Sequence, residues 1–451
     1  MRQLEAGSHE ARKAALLESL RRAPAGATPL GLSKSTSNLF RDRSEGRKHR
    51  LDLSAFSHVL EVDNAGGWVD VEGLATYEAL VEATLARGVM PAVVPQLKTI
   101  TVAGAVAGVG IEATSFRHGL VHHTLLELDV LLPDGEVVCC TPDNADRELF
   151  FGFPNSYGTL GYTLRLRLQT LPVRPCVQVN HQRFEQPQRF FDALASACDS
   201  DADFIDGVVF TPSQQVLSVA RFSDTAPYLS DYGAQQIYYL SLLQREQDWL
   251  TTHDYLWRWD SDWFWCSKNF GVQHPWLRRL VGRKRLNSQT YARWMRWNAR
   301  WGLTRRLERW RGLHSEPVIQ DVDIPLARAG EFLEFLLREI RILPIWTCPI
   351  RVPEPSRCFT LYPLTAGLTY VNFGFWDKVQ SAVAFEPGHF NRLVERKVIE
   401  LGGIKSLYSD SFFTRDEFDR AYGMQHYAAL KQKFDPHRRL LGLYEKCVLR
   451  A

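Results

Sequence analysis

Residues 95–119 read PQLKTITVAGAVAGVGIEATSFRHG, a run with hardly a bulky side chain in it. Gly104, Gly108, Gly110 and Gly119 stand among small residues, with Thr99, Thr101, Thr114 and Ser115 interleaved. Glycine tolerates positive φ and lacks the Cβ that blocks close approach, so this backbone is built to lie against something large and flat or anionic. Successive N–H groups in such a turn make a concave anion site, and hydroxyls add donors for a diphosphate. A dinucleotide is therefore the first ligand to expect. The competing reading is a Gly/Ala-rich loop or a tightly packed small-residue helix between core elements. The spacing is not GxGxxG after a strand, so the usual nicotinamide fingerprint is absent.

The flanks narrow the choice. Residues 125–140, LLELDVLLPDGEVVCC, form an apolar strand, a turn at Asp134-Gly135 and a second strand, which is a hairpin signature. Residues 150–162, FFGFPNSYGTLGY, make a second Gly-punctuated turn before the alternating strand 162–171. Upstream, residues 60–71 predict a hairpin turning at Ala65-Gly66-Gly67. Residues 77–87 predict an amphipathic helix with Leu80, Val81, Thr84 and Leu85 on one stripe and Gly88 past its end.

This order of elements, with Pro95, Thr101-Val102-Ala103-Gly104, Gly110, Ser115 with Gly119, Asp134-Gly135 and Gly158-Thr159-Leu160-Gly161, resembles the FAD-binding domain of the p-cresol methylhydroxylase/vanillyl-alcohol oxidase type. Within that superfamily the Gly-rich run, YGTLGY at 157–162, LPIWTCPI at 343–350, Leu407-Tyr408-Ser409-Asp410 and residues 427–446 look like the Δ24-sterol reductase (Diminuto) branch. The opening SKSTSNLFR at 33–41 and GFPNSYGTLGY resemble bacterial relatives that make 10-methyl-branched, tuberculostearic-type fatty acids. The resemblance implies an α+β fold: an FAD domain in two parts, residues 1–175 and 406–451, with an α+β substrate cap over 176–405 between them. It implies a flavin held by Pro95, Thr99, Thr101, Val102, Gly104, Ala105, Gly110, Glu112, Thr114, Ser115, Gly119, Gly158, Thr159, Gly161 and Tyr162. Many members attach FAD to a histidine in a Gly-rich N-terminal loop. This chain has Lys34, Ser35, Thr36, Ser37 and Asn38 at that place, so non-covalent FAD is expected, with these residues donating to the diphosphate and Lys34 offsetting its charge.

Length and composition set bounds. At 451 residues the chain suits two domains, and 45% hydrophobic with 23% charged residues is ordinary for a globular protein. A net charge of +3 argues against bulk nucleic-acid affinity. Eight cysteines lack CxxC spacing, so neither zinc nor a disulfide frame is indicated, and buried thiols in a reducing cytoplasm are expected. The N-terminus reads as a charged helix without a secretory segment, and no run reaches about 18 apolar residues. His118, His122 and His123 lack the companions that would complete a metal site.

The charge is unevenly placed. Residues 276–311 hold twelve Lys/Arg against Glu308 alone, with Trp276, Trp294, Trp297, Trp301 and Trp310. Trp294, Trp297 and Trp301 share one helical face, which Arg293, Arg296, Arg300 and Arg305 can flank. Two readings stay open: tryptophans packed inward under a solvated basic face, or a peripheral contact with anionic membrane. Residues 254–270 add four tryptophans, as core, partner contact or the wall of an apolar pocket.

The resemblance implies reduction of an isolated alkene on a lipid, the 10-methylene group of a phospholipid acyl chain foremost, with NADPH as electron source and a methyltransferase as possible partner. Such an alkene must be protonated before it accepts hydride, which calls for an acid in a dry, aromatic pocket. Asp410, Tyr408 and Glu112 are the candidates, with Glu445 and Lys446 behind them. A Δ24-sterol-type reductase, an alcohol or hydroxy-acid oxidase, and a non-enzymatic binding protein of the same fold are the alternatives. At the C-terminus, residues 427–434 should be helical and Asp435-Pro436 should break the helix.

Overall fold

A computed structural model describes residues 7–22, 30–33, 40–41, 49–233, 236–301, 310 and 312–450. Its α+β architecture rests on two antiparallel sheets. The first orders Val59–Asp63, Trp68–Glu72, Tyr162–Pro172, Leu125–Leu131 and Val137–Cys140, with Val89–Pro91 pairing beside Tyr162–Pro172. Both expected hairpins form: Val62 pairs with Val69 across a turn with Gly67 at φ +68°, and Leu131 pairs with Val137 across Gly135 at φ +96°. The helix Tyr77–Leu85 starts at Thr76, whose hydroxyl accepts from the Ala79 N–H, and buries Tyr77, Leu80, Val81 and Thr84. It ends two residues short of the expected 87, and Leu85 is only partly buried.

The Gly-rich stretch is not a continuous loop. Val102–Ala107 and Ser115–His118 are short helices, so part of the small-residue content serves helix packing.

The second sheet orders Gln247–Thr251, Cys176–Phe184, Gln214–Ser223, Phe204–Thr211, Ile345–Arg351, Thr369–Ser381, His314–Pro325 and Ile404–Lys405. One face packs under the helices Pro187–Cys198, Ala329–Phe335 and His389–Glu400, in a core that includes Phe190, Leu194, Val318, Val322, Ile324, Phe332, Phe373 and Val394. Strand side chains alternate between faces. On His314–Pro325, Val318, Val322 and Ile324 therefore enter that core, whereas Pro317, Ile319 and Asp321 face a cavity on the opposite side.

The C-terminal segment packs against the first sheet and its turns. The helix Met424–Phe434 begins at Gly423, φ +57°, three residues before the expected start, and ends at Asp435. Lys431 Nζ donates to the Thr159 carbonyl at 2.7 Å, and Leu430 occupies the space that a Cβ on Gly152 would need. The charged N-terminal helix spans His9–Arg22. Cys139 and Cys358 are exposed thiols, contrary to the expectation that the cysteines are buried, because each sits on a strand face or loop open to solvent. Among the described residues no helix is long and apolar enough to cross a membrane.

Candidate functional site

A cavity of about 1430 Å³ lies between the Gly-rich stretch and the open face of the second sheet. Ordinary small-molecule pockets hold roughly 300–1,000 Å³, so this one has room for a dinucleotide and a second ligand. One wall is main chain. Pro95, Thr99, Thr101, Gly104, Ala105, Gly108 and Gly110 line it, joined by the turn residues Gly158, Gly161 and Tyr162. Glycine is required at two of these points. A Cβ on Gly110 would meet Pro95 Cγ and Val121 Cγ2 at 2.9 Å each, and Gly161 has φ +149° with Val130 Cγ1 at 2.5 Å from its would-be Cβ. Arg41, Arg50 and Lys446 line the same cavity. Arg41 Nη1 donates to the Leu407 carbonyl and its guanidinium lies 4.8 Å from the Tyr157 ring centre. Lys446 Nζ donates to the Tyr157 carbonyl at 2.6 Å. A bare backbone wall with cations along it fits the diphosphate and flat rings of FAD.

The other wall is aromatic. Trp263, Phe264, Phe270, Trp294, Trp346, Trp376 and Phe40 line it. Phe264 lies 4.3 Å from Trp376 and 5.7 Å from Trp346, and Trp263 lies 5.6 Å from Phe40, all centre to centre. The Trp-dense 254–270 segment is thus divided. Trp263 reaches the cavity, while Trp259 and Trp265 are buried in the core. Backbone strain collects here too. Val109 (φ 53°), Tyr157 (51°), Trp263 (43°) and Phe264 (59°) are bulky residues in the left-handed region, and all four line the cavity. Such conformations cost of order 1–3 kcal/mol each and persist only where the surroundings hold them.

The remaining expected contacts do not line the cavity. Val102 is buried in the core; Thr114 Oγ1 donates to the Ala92 carbonyl; Ser115 Oγ accepts from the Glu112 N–H; Thr159 Oγ1 donates to the Ser156 carbonyl. Gly119, φ +70°, abuts His123 and Pro353. These residues build the loops that present the wall. Lys34, Ser35, Thr36, Ser37 and Asn38 lie outside the described residues, as do the side chains of Arg296, Arg300, Trp301 and Arg305.

The acid candidates separate clearly. Tyr408 lines the cavity, and its hydroxyl accepts from Trp376 Nε1 at 2.8 Å. Asp410 does not: the Leu407-Tyr408 turn rotates the chain, and its carboxylate pairs with Arg450 at 3.5 Å. Glu112 is buried away from the cavity, where Arg258 Nη2 donates to it and to Asp206 at 2.8 Å each. Burial pushes Glu112 up to about 7 against the lowering pull of Arg258. Glu445 is half-exposed and pairs with Arg415. His123 Nδ1 accepts from the Leu120 N–H, and His122 is buried against Phe359.

Asp321 escaped the reading of the sequence. It faces the cavity beside Tyr408 and Trp376. Burial raises it to about 7, with hydrogen bonds from Tyr408 and Trp376 lowering it and Asp323 adding to the rise. The available signal was a pair of acids, Asp321 and Asp323, with Gln320 among the apolar residues of one strand, VIQDVDI at 318–324.

Residues 11–141 match the FAD binding domain family. The chain is similar along most of its length to Δ24-sterol reductases. Identity is 25% with that of Arabidopsis thaliana, covering 90% of this chain and 77% of that protein, and 26% with that of Homo sapiens, covering 89% and 78%. Cytokinin dehydrogenase 7 of Oryza sativa subsp. japonica is 31% identical over 36% of this chain and 30% of its own length.

Proposed function

We propose that this FAD-dependent oxidoreductase reduces an isolated carbon–carbon double bond on a lipid, with the 10-methylene group of a phospholipid-linked acyl chain as substrate and NADPH as electron source. The observation that carries the reading is the apposition, in one cavity, of a bare backbone wall and an aromatic wall. Similarity to Δ24-sterol reductases supports C=C reduction, and also favours a sterol side chain as the second reading.

Bound FAD would supply hydride. The chain's own residues do the rest. Residues 99–110 and the Gly158–Gly161 turn hold the cofactor by main chain, with Arg41, Arg50 and Lys446 offsetting diphosphate charge. Trp263, Phe264, Trp346 and Trp376 exclude water, and their π faces favour a transient tertiary carbocation on the substrate.

Access for a membrane lipid is supported by the segment that joins Gln247–Thr251 to His314–Pro325 in the second sheet. Trp276, Leu280 and Trp297 are exposed, as are Arg279, Lys284, Arg285 and Arg293, and Trp297 also lines the cavity. Tryptophan with a cationic rim suits an anionic phospholipid surface, from which an acyl chain would enter.

The test is anaerobic reduction of the yellow protein by NADPH, then mixing with phosphatidylglycerol bearing a 10-methylene chain or with a Δ24-unsaturated sterol. Reoxidation of flavin with a saturated product by mass spectrometry is expected. A colourless protein indifferent to added flavin, or bleaching by a sugar or hydroxy acid instead, overturns the reading.

A further inference from the structure

Resting on that reading, we propose that Asp321 is the catalytic acid that protonates the substrate alkene. Among the described residues that line the cavity, two carry carboxyl groups, Asp321 and Asp377. Asp377 is paired with Lys268 at 2.9 Å, so its carboxylate already has a cationic partner. Among the described residues Asp321 has no cationic partner within salt-bridge distance. Its Oδ1 is buried without a hydrogen-bond partner, above the bare backbone of Gly374. An ionised carboxylate there would leave Oδ1 unsatisfied and carry a charge without a counter-ion, whereas the neutral carboxyl needs none.

The neighbours fit this role. Trp376 Nε1 donates to the Tyr408 hydroxyl at 2.8 Å, which directs the phenolic proton elsewhere, and Tyr408 hydrogen-bonds to Asp321. The other charged groups around it are Asp323 on its own strand, held by Tyr362 and Asn372, the Asp377–Lys268 pair and Lys378 on and beside the neighbouring strand, and Arg41, Arg50 and Lys446 on the cavity wall. In the step, the alkene π pair takes the Asp321 proton and forms a C–H bond at the less substituted carbon. The carboxyl O–H breaks, and the carboxylate left behind is stabilised by the Tyr408 O–H. The tertiary cation is faced by the aromatic wall, and bound FAD, reduced by NADPH, would supply the hydride that quenches it. Water returns a proton to Asp321, so the substrate gains one proton and one hydride.

The experiment compares wild type, Asp321→Asn and Asp321→Glu at equal bound-FAD content. Each is reduced by NADPH and then mixed in deuterated water with 10-methylene phosphatidylglycerol or the Δ24-unsaturated sterol. Alkene-dependent reoxidation should slow roughly 100–10,000-fold in Asp321→Asn and recover in part in Asp321→Glu. Solvent deuterium should appear at the less substituted carbon. Infrared difference spectra of the oxidised holoenzyme should show a carboxyl titrating near neutrality that Asp321→Asn lacks. Reoxidation of Asp321→Asn at the wild-type rate, or no such carboxyl, overturns this assignment alone. Failure of wild type to be reoxidised by either alkene overturns the alkene reading and this assignment with it.

Discussion

The indole N–H of Trp376 donates to the hydroxyl of Tyr408 across 2.8 Å, tying a strand of the second sheet to the turn that precedes the C-terminal helices. Trp376 pairs with Ile319 in the ladder, two residues from Asp321. The bond therefore holds the phenol over Asp321, the one cavity carboxyl among the described residues without a cationic partner.

Replacing Tyr408 by Phe removes a hydrogen bond that lowers the Asp321 pKa. That pKa then rises above about 7, and the limb on which activity falls moves to more alkaline pH. The alkene-dependent step should slow about 10–100-fold, with the limb shifted up by about one unit in the pH profile of stopped-flow reoxidation.

Asp321 also marks the pH dependence of stability. Burial raises its folded pKa to about 7, above the ordinary aspartate range near 3.8, so the folded state binds the extra proton. The sign is the reverse of a salt-bridged carboxylate: stability falls as pH rises from about 4 to about 7. Asp321→Asn should therefore melt at a higher temperature than wild type at pH about 8, with the gap closing toward pH about 4.

Gly110→Ala forces a methyl group against Pro95 and Val121 at 2.9 Å. Overpacking of this kind costs typically about 1–3 kcal/mol and displaces the wall that faces the cofactor. The variant should be purified with less bound flavin, read as the ratio of visible to ultraviolet absorbance.

Arg258 is buried and donates from one nitrogen to both Glu112 and Asp206. Arg258→Met leaves two buried acids without their cation, and breaking such a pair costs about 3–5 kcal/mol. A lowered Tm is expected, with partial recovery when Glu112→Gln is added.

Trp276→Ser with Leu280→Ser removes two exposed apolar side chains, 66% and 69% accessible, from the basic segment. Co-sedimentation with phosphatidylglycerol vesicles should weaken about ten-fold or more, a change of about 1.4 kcal/mol, while phosphatidylcholine vesicles bind neither protein well. Equal binding by variant and wild type would remove the membrane contact.

The local elements were legible because local chemistry specifies them. Asp134-Gly135 and Gly67 make turns wherever they stand, and Thr76 caps the helix behind it. The glycines of the backbone wall announced themselves by the side chains they lack. Thr114, Ser115 and Thr159 were harder to assign, since a hydroxyl suited to a ligand is equally suited to the protein's own backbone, and these three bond to the main chain of Ala92, Glu112 and Ser156. The acid was illegible for a different reason. Asp410 and Asp321 look alike in sequence, and only the pairing of Asp321 with Gly374 and the turn at Leu407-Tyr408 decide which carboxyl meets Tyr408 in the cavity.

The strand His314–Pro325 has one face in the core and the other in the cavity, which gives the carboxyl position a parity. A single-residue insertion between Pro317 and Gln320 would turn the acid toward the core that holds Phe332 and bring Gln320 in its place. Only even displacements keep it reactive, each moving it about 6.8 Å along the cavity. Descendants of this scaffold could thus relocate their proton donor only in coarse jumps, and adapting to a substrate with a slightly displaced double bond would have to come from the aromatic lining instead.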